Sequence, residues 1–306
     1  MNTLAVIIPA YKPDYLQRTL CSLSAQSCQA FSVYIGDDAS PFDLSGIIAP
    51  FNDKLDIHYT RFQDNVGGKD LVSQWKRCVG LCEDEDFIIL FSDDDMMEEN
   101  CIASIVHYDI PKDVNVLHFD IDIINENDEC IQHCPSFPES LSASSFFDRL
   151  FRRQIVARMP EFVFRREWLK QNGIVPFNLA WRSDTATVIK ASLSAGIRTV
   201  SGNHCRVLWR ASDANISGNR LLAREKNESN VVFFNWLYAQ NLNMAMSRFH
   251  LLKTIVFALE YQNTWQFVGD GIIATFHLQY ALHRRLLMLL FIFYRIPYHF
   301  MELYRS

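Results

Sequence analysis

The chain has 306 residues, of which 49% are hydrophobic and 21% charged, so it can bury a substantial core as one large domain or two smaller ones. Its formal net charge of -6 argues against a nucleic-acid-binding protein, although a local basic pocket for phosphates is compatible with it. The eight cysteines form no Cys-x-x-Cys pair, and Met1 leads into an apolar segment without the basic region of a signal peptide. These features predict reduced thiols and a cytoplasmic location.

Strand-like and helix-like patterns alternate along roughly the first 125 residues. This alternation, with short connections, implies an α/β fold with a mostly parallel sheet and helices on both faces. The predicted strands are Leu4–Pro9, Phe31–Gly36, Leu55–Phe62, Phe87–Phe91 and Val114–Asp120. The predicted helices are Tyr15–Ser27, Leu44–Phe51, Leu71–Cys82 and Glu98–Val106.

Polar clusters follow the first, second and fourth predicted strands, at residues 9–12, 37–40 and 93–95. Because parallel strands have their carboxyl ends at one edge of the sheet, we expect these clusters to converge. The third cluster is a run of three aspartates, which repel one another unless a cation neutralises them. Mg²⁺ or Mn²⁺, bound through carboxylates and substrate phosphates, is the usual solution. The alternative is a solvated acidic turn before the helix that starts near Glu98.

Six short motifs, in the expected order, resemble those of family 2 glycosyltransferases, which have the GT-A fold. The resemblance extends over residues 4–217 and implies a Rossmann-like, mostly parallel sheet with a helical C-terminal region added to it. The motifs are Val6-Ile7-Ile8-Pro9-Ala10-Tyr11, Tyr34-Ile35-Gly36-Asp37-Asp38-Ala39-Ser40, Asn65-Val66-Gly67-Gly68, Ser92-Asp93-Asp94-Asp95, Trp181-Arg182-Ser183-Asp184, and Trp209-Arg210-Ala211-Ser212 with Asn215-Ile216-Ser217.

The resemblance implies an inverting, metal-dependent transfer of a sugar from a nucleotide-diphosphate donor to a glycan or lipid-linked glycan, in bacterial surface polysaccharide synthesis. A UDP-sugar is the favoured donor. Asp184 is the implied general base, and Asp94 and Asp95 the implied ligands of Mn²⁺ or Mg²⁺. The implied donor-binding residues are Pro9, Ala10, Tyr11, Asp37, Asp38, Asn65, Asp93, Asp94 and Arg210.

The chain departs from the family pattern at two positions. Ser92 stands where many members have the first aspartate of Asp-x-Asp-Asp, so the register of the metal ligand within Asp93–Asp95 stays open by one residue. Ser183 stands where many members have glutamate before the aspartate.

Several of these residues also have structural interpretations. Asp37 and Asp38 are typical of an Asx turn or a helix cap, and Ser183 or Asp184 of a helix N-cap. Arg210 could lie on a solvated strand edge. Two other functions remain open at this point. A nucleotidyltransferase would need a glycine-rich basic loop where Pro9 and its neighbours stand, and the intact carboxylates argue against a non-catalytic protein of the same fold.

Cys130, His133 and Cys134 lie close enough in sequence to bind zinc, but a fourth ligand is not evident, so free thiols are favoured.

The domain prediction places a catalytic domain at residues 1–218, with a nucleotide-binding half at 1–120 and an acceptor-side half at 121–218. Residues 219–306 form the predicted helical C-terminal region. Its apolar run at 286–294 is shorter than the about 20 residues needed to span a bilayer. With basic residues on both sides, this run fits peripheral contact with the inner face of the cytoplasmic membrane, or packing on the catalytic domain or on a second subunit of a homo-oligomer.

Overall fold

In the computed structural model, the N-terminal half of the chain forms a parallel sheet with the strand order β3-β2-β1-β4. The structure describes residues 2–211, 216, 218–240, 254–256, 258–259, 264–278, 285–286, 288–290 and 292–293. The strands are β1 (Leu4–Ala10), β2 (Phe31–Asp37), β3 (Asp56–Arg61) and β4 (Phe87–Leu90). The helices of this half are α1 (Leu16–Ser24), α2 (Leu44–Ile48), α3 (Leu71–Val79) and α4 (Cys101–Val106).

Both faces of this sheet are buried at β1 and β4, which explains why these two strands are continuous apolar runs, whereas β3 at the edge is partly exposed. Successive side chains of β1 point to opposite faces. Ala5 and Ile7 pack in a core cluster with Val72 of α3, whereas Val6 packs in a second cluster with Leu20 of α1. The carboxyl ends of β1, β2 and β4 therefore share one edge of a sheet that is covered on both sides.

The second half of the sheet is mixed and is centred on β6 (Val116–Ile124). The other strands are β5 (Met96–Met97), β7 (Cys130–His133), β8 (Ser140–Leu141), β9 (Phe162–Arg165), β10 (Ile197–Val200) and β11 (Arg206–Arg210). Strand β9 is antiparallel and joins β6 to β4, while β10 and β11 lie parallel to β6. The helices are α5 (Ala143–Phe151), α6 (Arg166–Asn172) and α7 (Ser183–Ala191).

The C-terminal region contributes α8 (Ala223–Ala239) and α9 (Thr264–His277). Helix α8 packs on the second half of the sheet region, where the ring of Phe233 stacks on Phe151 of α5 with 5.9 Å between centroids and Asn230 accepts a hydrogen bond from the indole of Trp181. Residues 287, 291 and 294 of the run 286–294, and most of the residues that flank it, lie outside the described part of the chain. No helix among the described residues is both long and apolar enough to cross a bilayer.

The predicted fold class is confirmed, and β1, β2 and β4 lie within one residue of their predicted bounds. The predicted helix at 44–51 is divided, because α2 ends at Ile48 and a 3-10 turn containing Pro50 follows. The predicted helix at 98–106 begins only at Cys101, since residues 96–97 pair as β5 with β11. The domain boundary at residue 218 stays a prediction.

Candidate active site

A cavity of about 520 Å³ opens at the carboxyl ends of β1 and β4. Its volume is in the range usual for ligand sites. Its charged lining residues are Lys12, Asp93, Asp94, Arg158, Arg182 and Asp184, and its aromatic ones include Tyr11, Trp75, Trp181 and Trp209. Of the predicted site residues, the lining includes Pro9, Tyr11, Asp93, Asp94 and Asp184. The lining does not include Ala10, Asp37, Asp38, Asn65, Asp95 or Arg210.

Asp93 and Asp94 connect the ends of the two strands. One carboxylate oxygen of Asp93 accepts the backbone N–H groups of Tyr11, at 2.9 Å, and Lys12, at 3.1 Å. Burial raises the pKa of Asp93. Burial and the neighbouring Asp93 carboxylate raise the pKa of Asp94 to about 6, although Lys12 and Arg210 act in the opposite direction. Both carboxylates are thus held in a place where their negative charge is poorly solvated.

Asp95 lies behind the cavity and is fully buried. Its Oδ1 accepts the backbone N–H of Arg210 at 2.8 Å, whereas its Oδ2 accepts no hydrogen bond from any residue that the structure describes. Burial and the adjacent Asp94 raise the pKa of Asp95 well above its ordinary value. The carboxylates of Asp94 and Asp95 are thus poorly solvated, and one oxygen of Asp95 is buried without a hydrogen-bond partner among the described residues. Oxygen ligands of this kind fit Mn²⁺ or Mg²⁺, whose positive charge would neutralise them.

Arg210, predicted to contact a diphosphate, is instead buried inside the protein. Its guanidinium donates to the carbonyl oxygens of Asp94, at 2.8 Å, and Asn125, at 2.6 Å, and forms an ion pair with Asp128 at 2.5 Å. The same group lies 4.3 Å above the ring of Tyr15. Arg210 thus holds the aspartate run against the hairpin of β6 and β7 and does not line the cavity, and its contact with a diphosphate stays a prediction.

Asp37 forms the turn after β2. Its Oδ1 accepts the backbone N–H of Ser40 at 2.7 Å, and its Oδ2 accepts from the Tyr59 hydroxyl, at 2.6 Å, and from Arg61, at 2.9 Å. Burial, the hydrogen bond to Asp37 and the charge of Asp37 raise the pKa of Tyr59 to about 12. This is the structural alternative that the sequence left open, and it directs the carboxylate of Asp37 away from the cavity.

Asp38 connects this turn to the loop before α3. Its two oxygens accept the backbone N–H groups of Val66 and Gly67, each at 2.8 Å, and the same carboxylate pairs with Arg77. A Cβ atom at position 67 would lie 2.6 Å from Asp38 Oδ2, so only glycine lets the carboxylate come this close. Asn65 accepts the N–H of Gly68 at 2.8 Å and stabilises the same loop. Asp38 and Asn65, both predicted to bind the sugar donor, are thus hydrogen-bonded to the backbone of this loop.

Asp184 lies in the first turn of α7 and lines the cavity. The predicted N-cap alternative is wrong for both candidates, because the N-cap is Arg182, in a left-handed conformation with φ 74°. Ser183 instead accepts the backbone N–H of Phe177 at 3.1 Å. Asp184 accepts the N–H of Thr185 at 2.6 Å, and its side chain contributes to the cavity surface.

Arg158 and Arg182 also line the cavity, and neither was predicted as a site residue. The Arg158 guanidinium lies 4.7 Å from the ring centroid of Trp209, and its Nε is buried without a hydrogen-bond partner among the described residues. Arg182 lies 5.0 Å from the ring of Trp181. Arg158 belongs to an irregular segment between α5 and β9, so no periodic pattern marks it. Trp181 and Arg182 belong to the motif that contains Asp184, and the resemblance implies a role only for Asp184.

A buried pair of titratable groups lies next to the cavity lining, one residue beyond Pro160. His118 and Glu161 are both fully buried, with Nε2 and Oε1 3.2 Å apart, and His118 stacks on Phe137 with 3.6 Å between centroids. Burial lowers the pKa of His118 and raises the pKa of Glu161, each by a wide margin. In the folded chain, burial therefore favours the uncharged form of both groups.

Comparisons with known proteins agree with this geometry. The family model described as glycosyl transferase family 2 matches residues 5–173, which is more than half of the chain. A search of curated protein sequences found no match. Among solved structures, residues 1–349 of S. aureus TarS in complex with UDP-GlcNAc align at 15% identity and a TM-score of 0.64, covering 91% of this chain and 82% of TarS 1–349.

A second solved structure is the mannosyltransferase PcManGT from Pyrobaculum calidifontis in complex with GDP-Man and Mn²⁺. It aligns at 14% identity and a TM-score of 0.55, covering 96% of this chain and 81% of the mannosyltransferase. At such low identity these two likenesses show the fold alone. The chain therefore has the GT-A fold of these two structures. The chain belongs to glycosyl transferase family 2.

Proposed function

We propose that the protein is an inverting, metal-dependent glycosyltransferase that moves a sugar from a nucleotide-diphosphate donor, a UDP-sugar in the favoured case, to a hydroxyl of a glycan or lipid-linked glycan. One observation carries the proposal: Asp94, after β4, and Asp184, in the first turn of α7, line the same cavity. A carboxylate suited to a metal and a carboxylate suited to a base are the two groups that this chemistry needs in one place.

The donor side of the cavity is formed by Pro9, Tyr11, Asp93 and Asp94. Tyr11 is 39% exposed and lines the cavity, so its ring is available to stack on a nucleotide base. Asp94, with the unpaired Oδ2 of Asp95, would hold a divalent cation, which when bound supplies Lewis-acid neutralisation of the departing diphosphate. UDP-GlcNAc in TarS and GDP-Man with Mn²⁺ in the mannosyltransferase support this choice of donor class and metal.

We assign Asp37, Asp38, Asn65 and Arg210 to supporting positions, since their polar atoms bind the loops that frame the cavity. Ala10 belongs to the same group, because it is buried in the core and its carbonyl accepts the N–H of Asp38 at 2.9 Å. In this proposal, these residues fix the positions of Tyr11, Asp93 and Asp94.

Asp184 acts as the general base in this proposal. The acceptor oxygen attacks the anomeric carbon while its proton passes to the Asp184 carboxylate, and the bond from that carbon to the diphosphate oxygen breaks. A single displacement of this kind inverts the anomeric configuration. Trp75, Trp181 and Trp209 give the cavity broad apolar surfaces against which the flat faces of sugar rings can pack.

We place this reaction in bacterial surface polysaccharide synthesis, in the cytoplasm and with peripheral contact to the inner face of the cytoplasmic membrane. Support for the membrane contact comes from the C-terminal region, where Leu286, Leu290 and Phe293 are exposed, each by more than half, close to Arg285. Apolar residues beside a cation are the composition of an interfacial segment.

Titration of the purified protein with UDP, UDP-GlcNAc and GDP-mannose, with and without Mn²⁺, tests the donor assignment by thermal shift. A ligand at 100 times its dissociation constant adds about 2.7 kcal/mol to the free energy of unfolding. We expect stabilisation by one nucleotide sugar that requires Mn²⁺ and is lost in Asp94→Asn. Stabilisation by no nucleotide sugar, or release of pyrophosphate from a nucleoside triphosphate and a sugar phosphate, would contradict the proposal.

A further inference from the structure

The hairpin of β6 and β7 contains a β-bulge. His133 pairs with Asp122, and Cys130 pairs with Ile124. From Asp122 to Ile124 the chain advances by two residues on β6, whereas from His133 to Cys130 it advances by three on β7. Ile131 is therefore an extra residue without a partner on β6. In a regular strand, residues three positions apart point to opposite faces. The bulge removes this alternation, and Cys130 and His133 come to the same face as Asp122.

The three side chains place one potential metal ligand each within 4.8 Å of the others: Asp122 Oδ2, Cys130 Sγ and a ring nitrogen of His133. His133 Nδ1 is 2.9 Å from Asp122 Oδ2 and 3.6 Å from Cys130 Sγ. Zinc–sulfur bonds of about 2.3 Å and zinc–nitrogen bonds of about 2.0 Å, at a tetrahedral angle, separate sulfur from nitrogen by about 3.5 Å. The sulfur and nitrogen atoms are therefore already spaced as two ligands of one ion.

Neighbouring groups orient the carboxylate of this cluster. Asp122 Oδ1 accepts the backbone N–H of Cys134, at 3.1 Å, and pairs with Arg206, at 2.9 Å, which leaves Oδ2 directed at His133. Partners of this kind fix ligand orientation in metal sites. Asp122 is buried, whereas Cys130 and His133 are exposed, so an ion has access from solvent.

We propose that Asp122, Cys130 and His133 bind a zinc ion, with the fourth coordination position open. A thiolate, an imidazole and a carboxylate together suit Zn²⁺, whereas Mn²⁺ and Mg²⁺ prefer all-oxygen sites such as the aspartate run. The sequence suggested Cys130, His133 and Cys134 as zinc ligands. In the structure Cys134 is buried, and Asp122 takes its place in the cluster. The inference does not depend on the proposed reaction.

The position of the site gives it a structural consequence. The residues between β6 and β7 include Asn125 and Asp128, which hold the guanidinium of Arg210. Asp122 and Cys130 lie on the two strands that carry this turn. Zinc at Asp122, Cys130 and His133 would fix β7 on β6 and so fix the turn that positions Arg210 behind the aspartate run.

Titration of the full-length protein with Co²⁺, which replaces Zn²⁺ and reports thiolate ligation by a charge-transfer absorption band, tests the site. We expect one such band that zinc abolishes at one equivalent per chain. Cys130→Ser should remove the band, and His133→Asn should weaken zinc binding about tenfold or more in competition with a chromophoric chelator. Cys21→Ser is the matched control, because Cys21 is another exposed cysteine outside the cluster, and its variant should keep the band.

Asp94→Asn should also keep the band, which separates this site from the one at the cavity. Melting temperatures measured without metal serve as the folding control, and they should not change because Cys130 and His133 are exposed. Absence of the thiolate band from the unmodified protein would overturn the proposal. An equally strong band in Cys130→Ser, or its loss in Cys21→Ser, would do the same.

Discussion

The carboxylate of Asp38 fastens the loop before α3 to the turn after β2. It accepts two backbone N–H groups, from Val66 and Gly67, each at 2.8 Å, and pairs with Arg77. The change Asp38→Ala removes all of these contacts at once. Arg77 keeps a hydrogen bond to the carbonyl of Asp64 at 2.9 Å, so the unsatisfied groups are mainly the two loop N–H groups.

The expected loss follows from these two bonds. A hydrogen bond to a charged group contributes about 1.5–3 kcal/mol to the free energy of unfolding. The loop is only partly buried, so water can replace part of each bond and the lower end of the range applies. We therefore expect Asp38→Ala to lower the free energy of unfolding by about 3 kcal/mol. Because native domains are stable by only about 5–15 kcal/mol, the loss is a large fraction of the total.

Urea denaturation followed by circular dichroism measures this loss as a lower midpoint at an unchanged slope. Asp64→Ala is the control, because Asp64 pairs with the same Arg77 at 3.3 Å but is 75% exposed. Removing such a surface pair should cost less than about 1 kcal/mol. If Asp38→Ala were no less stable than Asp64→Ala, yet failed to bind the donor, the carboxylate would contact the nucleotide and our structural assignment would be wrong.

Three further changes separate the roles assigned around the cavity. Asp184→Asn should leave donor binding intact and slow transfer by about 10²–10⁴-fold, as loss of a general base does; normal turnover would place the base elsewhere. Asp94→Asn should abolish Mn²⁺-dependent donor binding in calorimetry without lowering the melting temperature, and retained binding would move the metal to other residues. Burial raises the pKa of Glu161 on folding, so the stabilisation that Glu161 contributes is lost as pH rises through its folded pKa; above pH 6.5, the ordinary pKa of histidine, the lowered pKa of His118 no longer opposes this loss. Stability should therefore fall as pH rises, by up to about 1.4 kcal/mol per unit, and Glu161→Gln should remove this slope in urea denaturation at several pH values.

The fold could be predicted because its signals are local. The strand from Leu4 is apolar at every position since both faces of the sheet are covered, and the polar residues begin where the strand ends. The same reasoning placed Asp93 and Asp94 beside Tyr11, and the structure has the backbone of Tyr11 hydrogen-bonded to Asp93. Such inferences need only the direction of each strand and the fact that adjacent parallel strands end at the same edge of the sheet.

The partners of buried charged groups could not be predicted in this way. Whether Asp37 faces a ligand or the protein depends on Tyr59 and Arg61, which stand on the neighbouring strand and satisfy its carboxylate. Arg210 pairs with Asp128, which lies in the turn between β6 and β7 and precedes it by 82 residues in the chain. A motif identifies which residue types gather at an edge, but long-range packing decides which of them remain available to a substrate.

The aspartate run depends on a strand that is synthesised much later, because β11 pairs with β5 and β6 and supplies a hydrogen bond to Asp95. Asp95 accepts the N–H of Arg210, which follows it by 115 residues, whereas the family match ends at residue 173. Chains are synthesised at about 5–20 residues per second, so many seconds pass between the two residues on the ribosome. We therefore expect a nascent chain to carry the aspartate run before it can arrange it. Asp95 would take its final position only when β11 has left the ribosome.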